Sequence, residues 1–202
     1  LLEIRAQAFA DRYQPRLPSV VLLPGGMGSR LVRSAVPYKA GEPFTNTVFY
    51  ELWLDFARAI LGELREIAMT RHGEDVDGQP IVASGELSSI VKAYDGVAAF
   101  FQGKANYVGL GYDWRRPPDK EYMYLRSFLR RIADKVMAKG HPDPRQRLTL
   151  FAHSQGGLVA KLFVNDVVER HEQSAGWFER LVTCCTPFYG TWSHLSRFYV
   201  GE

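Results

Sequence analysis

Ser154 stands in the run Phe151-Ala152-His153-Ser154-Gln155-Gly156-Gly157, and a serine framed in this way could act as a nucleophile. A serine hydroxyl attacks poorly unless it stands clear of the backbone and beside a base. Here an apolar stretch, Leu148 to Phe151, precedes it. Leu158-Val159-Ala160-Lys161-Leu162-Phe163-Val164 follows, with the look of a buried helix. Strand, tight turn with a serine at its tip, then helix is the layout of a nucleophile elbow. The helix N-terminus beneath the serine favours negative charge developing there.

The usual elbow reads G-x-S-x-G. Ala152 replaces the first glycine and Gly156 fills the second position. Small residues are needed because the turn brings backbone segments close together, and alanine is the mildest departure from glycine. Gly157 adds room for the helix to pack on its strand. A second glycine-rich segment, Pro24-Gly25-Gly26-Met27-Gly28-Ser29, follows the apolar strand Ser19 to Leu23. It lacks the Gly-Lys-Ser/Thr ending of a phosphate loop and the G-x-G-x-x-G spacing, so phosphate binding is not its reading.

These segments need a scaffold. Ser19–Leu23, Tyr107–Leu110, Leu148–Phe151 and Leu181–Cys185 are short apolar runs of the kind a parallel sheet buries. Between them lie helical patterns over residues 1–13, 48–70, 86–102, 120–138 and from the elbow to about Arg170, with residues 31–47 irregular. The alternation predicts an α/β domain: a mainly parallel sheet with helices on both faces. The chain of 202 residues is read as one such domain. The net charge of +3, without a basic cluster carrying interleaved aromatics, argues against nucleic acid. No run reaches transmembrane length, and Leu1 to Arg5 carries no secretory pattern. Cys184 and Cys185 read as buried structural thiols on opposite faces of a strand. No metal or cofactor is expected.

Four blocks together carry a resemblance: Val21-Leu22-Leu23-Pro24-Gly25-Gly26-Met27-Gly28-Ser29-Arg30-Leu31, Gly111-Tyr112-Asp113-Trp114-Arg115, the Ser154 elbow, and Thr186-Pro187-Phe188-Tyr189-Gly190-Thr191. In this order and spacing the chain resembles the α/β-hydrolase fold and, within it, the lecithin:cholesterol acyltransferase-like group. The resemblance implies roles. Ser154 looks like the acyl-accepting nucleophile. The backbone N–H groups of Met27 and Gln155 would hold the oxyanion, with Gly25, Gly26 and Gly28 letting the first loop approach the reacting carbonyl. His153 and Gly156 support the elbow. Asp113 and Arg115 would pair to brace their loop, with Trp114 near the pocket. Residues 31–105 would contain a cap or lid that sets specificity.

A serine hydrolase of this fold also needs an acid and a histidine, in the chain order Ser, acid, His. Asp166 lies twelve residues along the helix, roughly 18 Å away at helical rise. His72 and His141 precede the elbow, and His171 is farther than Asp166. His194 is the one sensible internal base. The expectation is that the acid and base lie beyond Glu202, with the last strands of the sheet, so that residues 1–202 alone would be inactive. The function expected is a serine esterase, lipase or acyltransferase acting on lipid-like carboxylic esters. Two alternatives stand beside it: a non-enzymatic hydrolase-fold binding module, and a serine peptidase or amidase using the same elbow.

Overall fold

The structure, a computed structural model, describes residues 1–34, 49–53, 63–76, 78, 80–87 and 93–190. Its first element is α1 (Leu2–Arg12), followed by the wholly buried strand β1 (Ser19–Leu23). Three more strands lie parallel to β1: β5 (Asn106–Gly109), β6 (Leu148–His153) and β7 (Arg180–Cys184). The sheet order is β5-β1-β6-β7, with Val21 beside Val108 on one side and Leu150 on the other. The connections are α2 (Asp95–Phe101) before β5, the long α3 (Pro118–Ala138) between β5 and β6, and α4 (Gln155–Glu169) between β6 and β7. This is an α/β fold, a parallel sheet flanked by helices.

Alternation along the strands decides which residues meet which helices. Val21, Leu23, Val108, Leu148, Leu150 and Ala152 face α1, α3 and α4, and there they join Phe9, Phe128, Ile132 and Phe163 in the main core. Burying one such side chain contributes roughly 1.5–3 kcal/mol, so this layer dominates the hydrophobic term. On the opposite face Phe101 of α2 stacks on Tyr107 at 5.8 Å. Beside it a groove of about 500 Å³ runs over Val20, Thr149, Phe151 and Val182.

A second, antiparallel sheet was not anticipated. It has the order β3-β2-β4, from β2 (Ser29–Ser34), β3 (Phe49–Trp53) and β4 (Ile81–Glu86). The irregular assignment for 31–47 is therefore wrong at its start. The helical assignment for 48–70 is wrong at Phe49–Trp53, and Glu63–Ile67 is a 3-10 turn. The apolar spacing from Val48 onward suits both a helix face and a short strand, and pairing with β2 decides for the strand. The rest of 35–48 and 54–62 lies outside the described residues. Leu31, Leu52, Ile81 and Ala83 form a small core of their own, with Trp53 and Trp114 packed against it.

The cysteines also differ from expectation. Both are exposed, with Sγ atoms 3.8 Å apart. Among the described strands β7 has a neighbour on one side only, so its end lacks the cover that β1 and β6 enjoy.

Candidate active site

All three segments of the candidate site leave the C-terminal ends of parallel strands: the glycine loop after β1, the Tyr112–Arg115 segment after β5, and the elbow after β6. In open parallel sheets this is where ligands bind. At the elbow the chain reverses within one residue. Ser154 has φ 50° and ψ −123°, a conformation that costs a side-chain-bearing residue about 1–3 kcal/mol. Its N–H is anchored to the Cys184 carbonyl at 2.8 Å, and its own carbonyl accepts Gly157 N–H at 3.0 Å. Ser154 occupies the N-cap position of α4, yet its hydroxyl makes no capping bond. The oxygen that ordinarily ties down a helix end is left for other work.

Close approach explains the small residues. A Cβ on Gly156 would sit 2.5 Å from the carbonyl oxygens of Leu23 and Pro24, which are backbone and cannot yield. A Cβ on Gly25 would come to 3.0 Å from both Ser154 Cβ and His153 Nδ1, so the glycine loop lies directly against the elbow. Gly26 faces the Gln155 side chain, whose Nε2 donates to the Trp114 carbonyl at 3.3 Å. Ala152 is fully buried in the main core, where its methyl group is accommodated.

The loop after β1 is a turn closed by Gly28 N–H on Gly25 O at 3.0 Å, with Met27 at φ 61°. Its polar groups are pinned from several sides. Tyr112 donates its hydroxyl to Pro24 O at 2.8 Å, and Trp53 Nε1 donates to Met27 O at 2.8 Å. Leu87 N–H donates to Gly28 O at 2.7 Å, and Gly25 N–H donates to the Tyr94 hydroxyl at 2.7 Å. Among the described residues the Gly26 and Met27 amides donate to nothing. Gln155 is the first residue of α4, where a backbone N–H has no partner within the helix.

The segment after β5 is braced by charge. Asp113 takes Arg115 at 2.6 Å and Arg116 at 3.1 Å, and Arg115 also reaches Asp75 at 2.8 Å. Arg115 Nη1 donates to the Ile67 carbonyl at 3.0 Å, and Asp75 in turn accepts Ile81 N–H at 3.0 Å. The network rivets the loop to the small sheet. Burial works against the Arg115 charge, but Asp113 and Asp75 outweigh it and hold its pKa above the ordinary value. Glu121, the first-turn acid of α3 that accepts Asp113 N–H at 3.1 Å, is raised by burial, with the Asp113 charge adding to the effect. Trp114 donates its Nε1 to Ser29 O at 3.2 Å and meets Trp53 edge-on at 5.2 Å. Asp113 is thus fully engaged in scaffold contacts.

This match of elbow, glycine loop and braced Tyr-Asp-Trp-Arg segment has a counterpart at the level of the whole sequence. The family model of lecithin:cholesterol acyltransferase matches residues 97–202, just over half of the chain. The chain belongs to the lecithin:cholesterol acyltransferase family. A search of curated proteins finds no match. Membership in the lecithin:cholesterol acyltransferase family carries acyltransferase or esterase-type activity on lipids in general. The matched stretch contains the braced segment, the elbow and the Thr186 block, and it begins after the glycine loop.

The remaining candidates are placed as follows. Asp166 is committed to Arg170 at 2.7 Å and to Arg126, on the buried side between α3 and α4. His72 accepts a bond from Arg71 at 3.0 Å, His141 packs on Tyr13, and His171 is exposed past the end of α4. His194 and Thr191 lie outside the described residues. Sequence reasoning missed Tyr94, Trp53 and Asp75. Trp53 and Tyr94 fall inside the segments with helical patterns, 48–70 and 86–102, and Asp75 in a polar stretch between them. Only the tertiary fold brings them to the loops. No helix among the described residues is long and apolar enough to cross a membrane.

Proposed function

We propose that the protein is a serine-dependent acyl-ester enzyme in which Ser154 Oγ attacks the carbonyl carbon of a lipid-like carboxylic ester. The carbonyl π electrons move onto oxygen, and the Met27 and Gln155 N–H groups receive that oxyanion. Collapse of the intermediate breaks the ester C–O bond and releases the alcohol, which takes up the proton that Ser154 gave to the base. Water or a second alcohol then resolves the acyl-enzyme, giving hydrolysis or transfer. Each correctly aimed donor is worth about 3–4 kcal/mol of barrier lowering.

The observation that carries this reading is the strained Ser154 at the strand end, with its hydroxyl unused as a helix cap. The Met27 amide, which has no partner among the described residues, lies in a loop touching the elbow and supports it. The acid and base of the triad are proposed to follow the described residues in the chain. The small antiparallel sheet is proposed as part of the cap within 31–105, since it has its own core and abuts the glycine loop. In the full-length protein Ser154→Ala should reduce ester turnover by at least about 10³-fold with the fold intact. Turnover within tenfold of wild type in that variant would end the proposal.

A further inference from the structure

Tyr94 enters the site from the start of α2, far in sequence from both segments it touches. Its hydroxyl is buried between them: 2.7 Å from Gly25 N and 3.0 Å from His153 Nδ1. A Cβ on Gly28 would lie 2.8 Å from the same oxygen. The tyrosine and histidine rings meet edge-on at 5.9 Å, and Tyr94 is 8% exposed. A hydroxyl has one proton to give. The oxygen accepts Gly25 N–H and keeps its own proton to donate to His153 Nδ1, the arrangement that goes with the ring proton on Nε2.

We infer that Tyr94 is a positioning residue for the reaction, its hydroxyl fastening the glycine loop to the nucleophile elbow through one accepted and one donated hydrogen bond. Gly25 is two residues from Met27, and His153 is the residue before Ser154. The tyrosine therefore fixes the distance between the oxyanion donor and the nucleophile through the residues beside them. Burial raises the phenol pKa, so the proton stays on the oxygen across the working range. Such alignment matters most as charge develops, because a donor misplaced by an ångström stabilises the transition state poorly. The inference rests on the Ser154 reading above.

The test is Tyr94→Phe in the full-length protein, read two ways. By nuclear magnetic resonance with ¹⁵N-labelled histidine and glycine, the wild type should show His153 protonated at Nε2 with a hydrogen-bonded Nδ1, and a slowly exchanging Gly25 amide. In the variant the Nδ1 signal should move toward that of an unbonded nitrogen and the Gly25 amide should exchange faster. In turnover, kcat should fall about tenfold, the worth of one buried hydrogen bond, with KM within twofold. Unchanged resonances, or an unchanged kcat, would overturn the inference. If Tyr94→Phe does not fold, His153→Phe keeps the tyrosine and removes its acceptor, and a wild-type kcat there would overturn it equally. Ser154→Ala run alongside separates the two failures: turnover that survives it removes the acyl-enzyme, while the resonances still report on Tyr94.

Discussion

The two sheets are held in opposite ways. The parallel sheet is fastened by apolar packing: β1 is buried along its whole length, and α1, α3 and α4 share one continuous core with it. The antiparallel sheet has four buried apolar residues at its centre and is attached through ions, chiefly Arg115 between Asp113 and Asp75. A hydrocarbon core tolerates small shifts at its edges, whereas a buried guanidinium between two carboxylates fixes one geometry. The nucleophile is thus carried by the apolar-packed layer, and the loop facing it is set by directional bonds from the smaller one. Trp53 on Met27 O makes that second link explicit.

The largest expected effect breaks the first region. Phe163→Ala, in the fully buried centre of α4, should cost about 4 kcal/mol and lower the stability of the whole molecule in urea unfolding. Next, Arg115→Ala should cost about 3 kcal/mol by removing the buried cation that Asp113 and Asp75 share, with the half-exposed Arg116 as their remaining partner. Here the loss should be local: hydrogen exchange should quicken in β2 and β4 while β1 and β6 keep their protection. Uniform quickening in all four strands would show that the two regions unfold as one and that the contrast is false.

The smallest effect is a matter of pH. The folded-state pKa of Glu121 is raised above its ordinary 4.5, with burial the leading cause. Its contribution is therefore fully present below about pH 4.5 and is lost as pH rises through the folded value. Glu121→Gln keeps an acceptor for Asp113 N–H and removes the charge. It should raise the melting temperature by about 2–4 °C at pH 8, with the advantage disappearing below pH 4.5. A variant less stable than wild type at pH 8 would mean that the ionised carboxylate serves the Arg115 and Arg116 charges.

The same contrast governs what the amino-acid sequence discloses. Apolar runs such as Ser19–Leu23 and the small-Ser-x-Gly elbow are local signals, and both sit where they were expected. The antiparallel strands carry no such signal. Register shifts between Leu31 and Val32 and between Arg30 and Leu31 break the two-residue alternation that would mark them. Asp113 and Arg115, two residues apart, could be paired on sight, but Asp75 joins them from 38 positions away through the fold alone. Tyr94 is hidden for the same reason. Its partners are Gly25 and His153, and nothing in its neighbourhood along the chain singles out the hydroxyl. Cys184 and Cys185 were misjudged because apolar neighbours in sequence do not ensure a covered strand.

The proposed chemistry depends on Ser154 forming a covalent ester during turnover. The direct measurement is mass spectrometry of the full-length protein quenched within the first turnover of a slowly deacylating fatty-acyl ester. One acyl group should be added, located on the peptide that contains Ser154 and absent in Ser154→Ala. Turnover with no adduct, or an adduct on another residue that persists in Ser154→Ala, would contradict it.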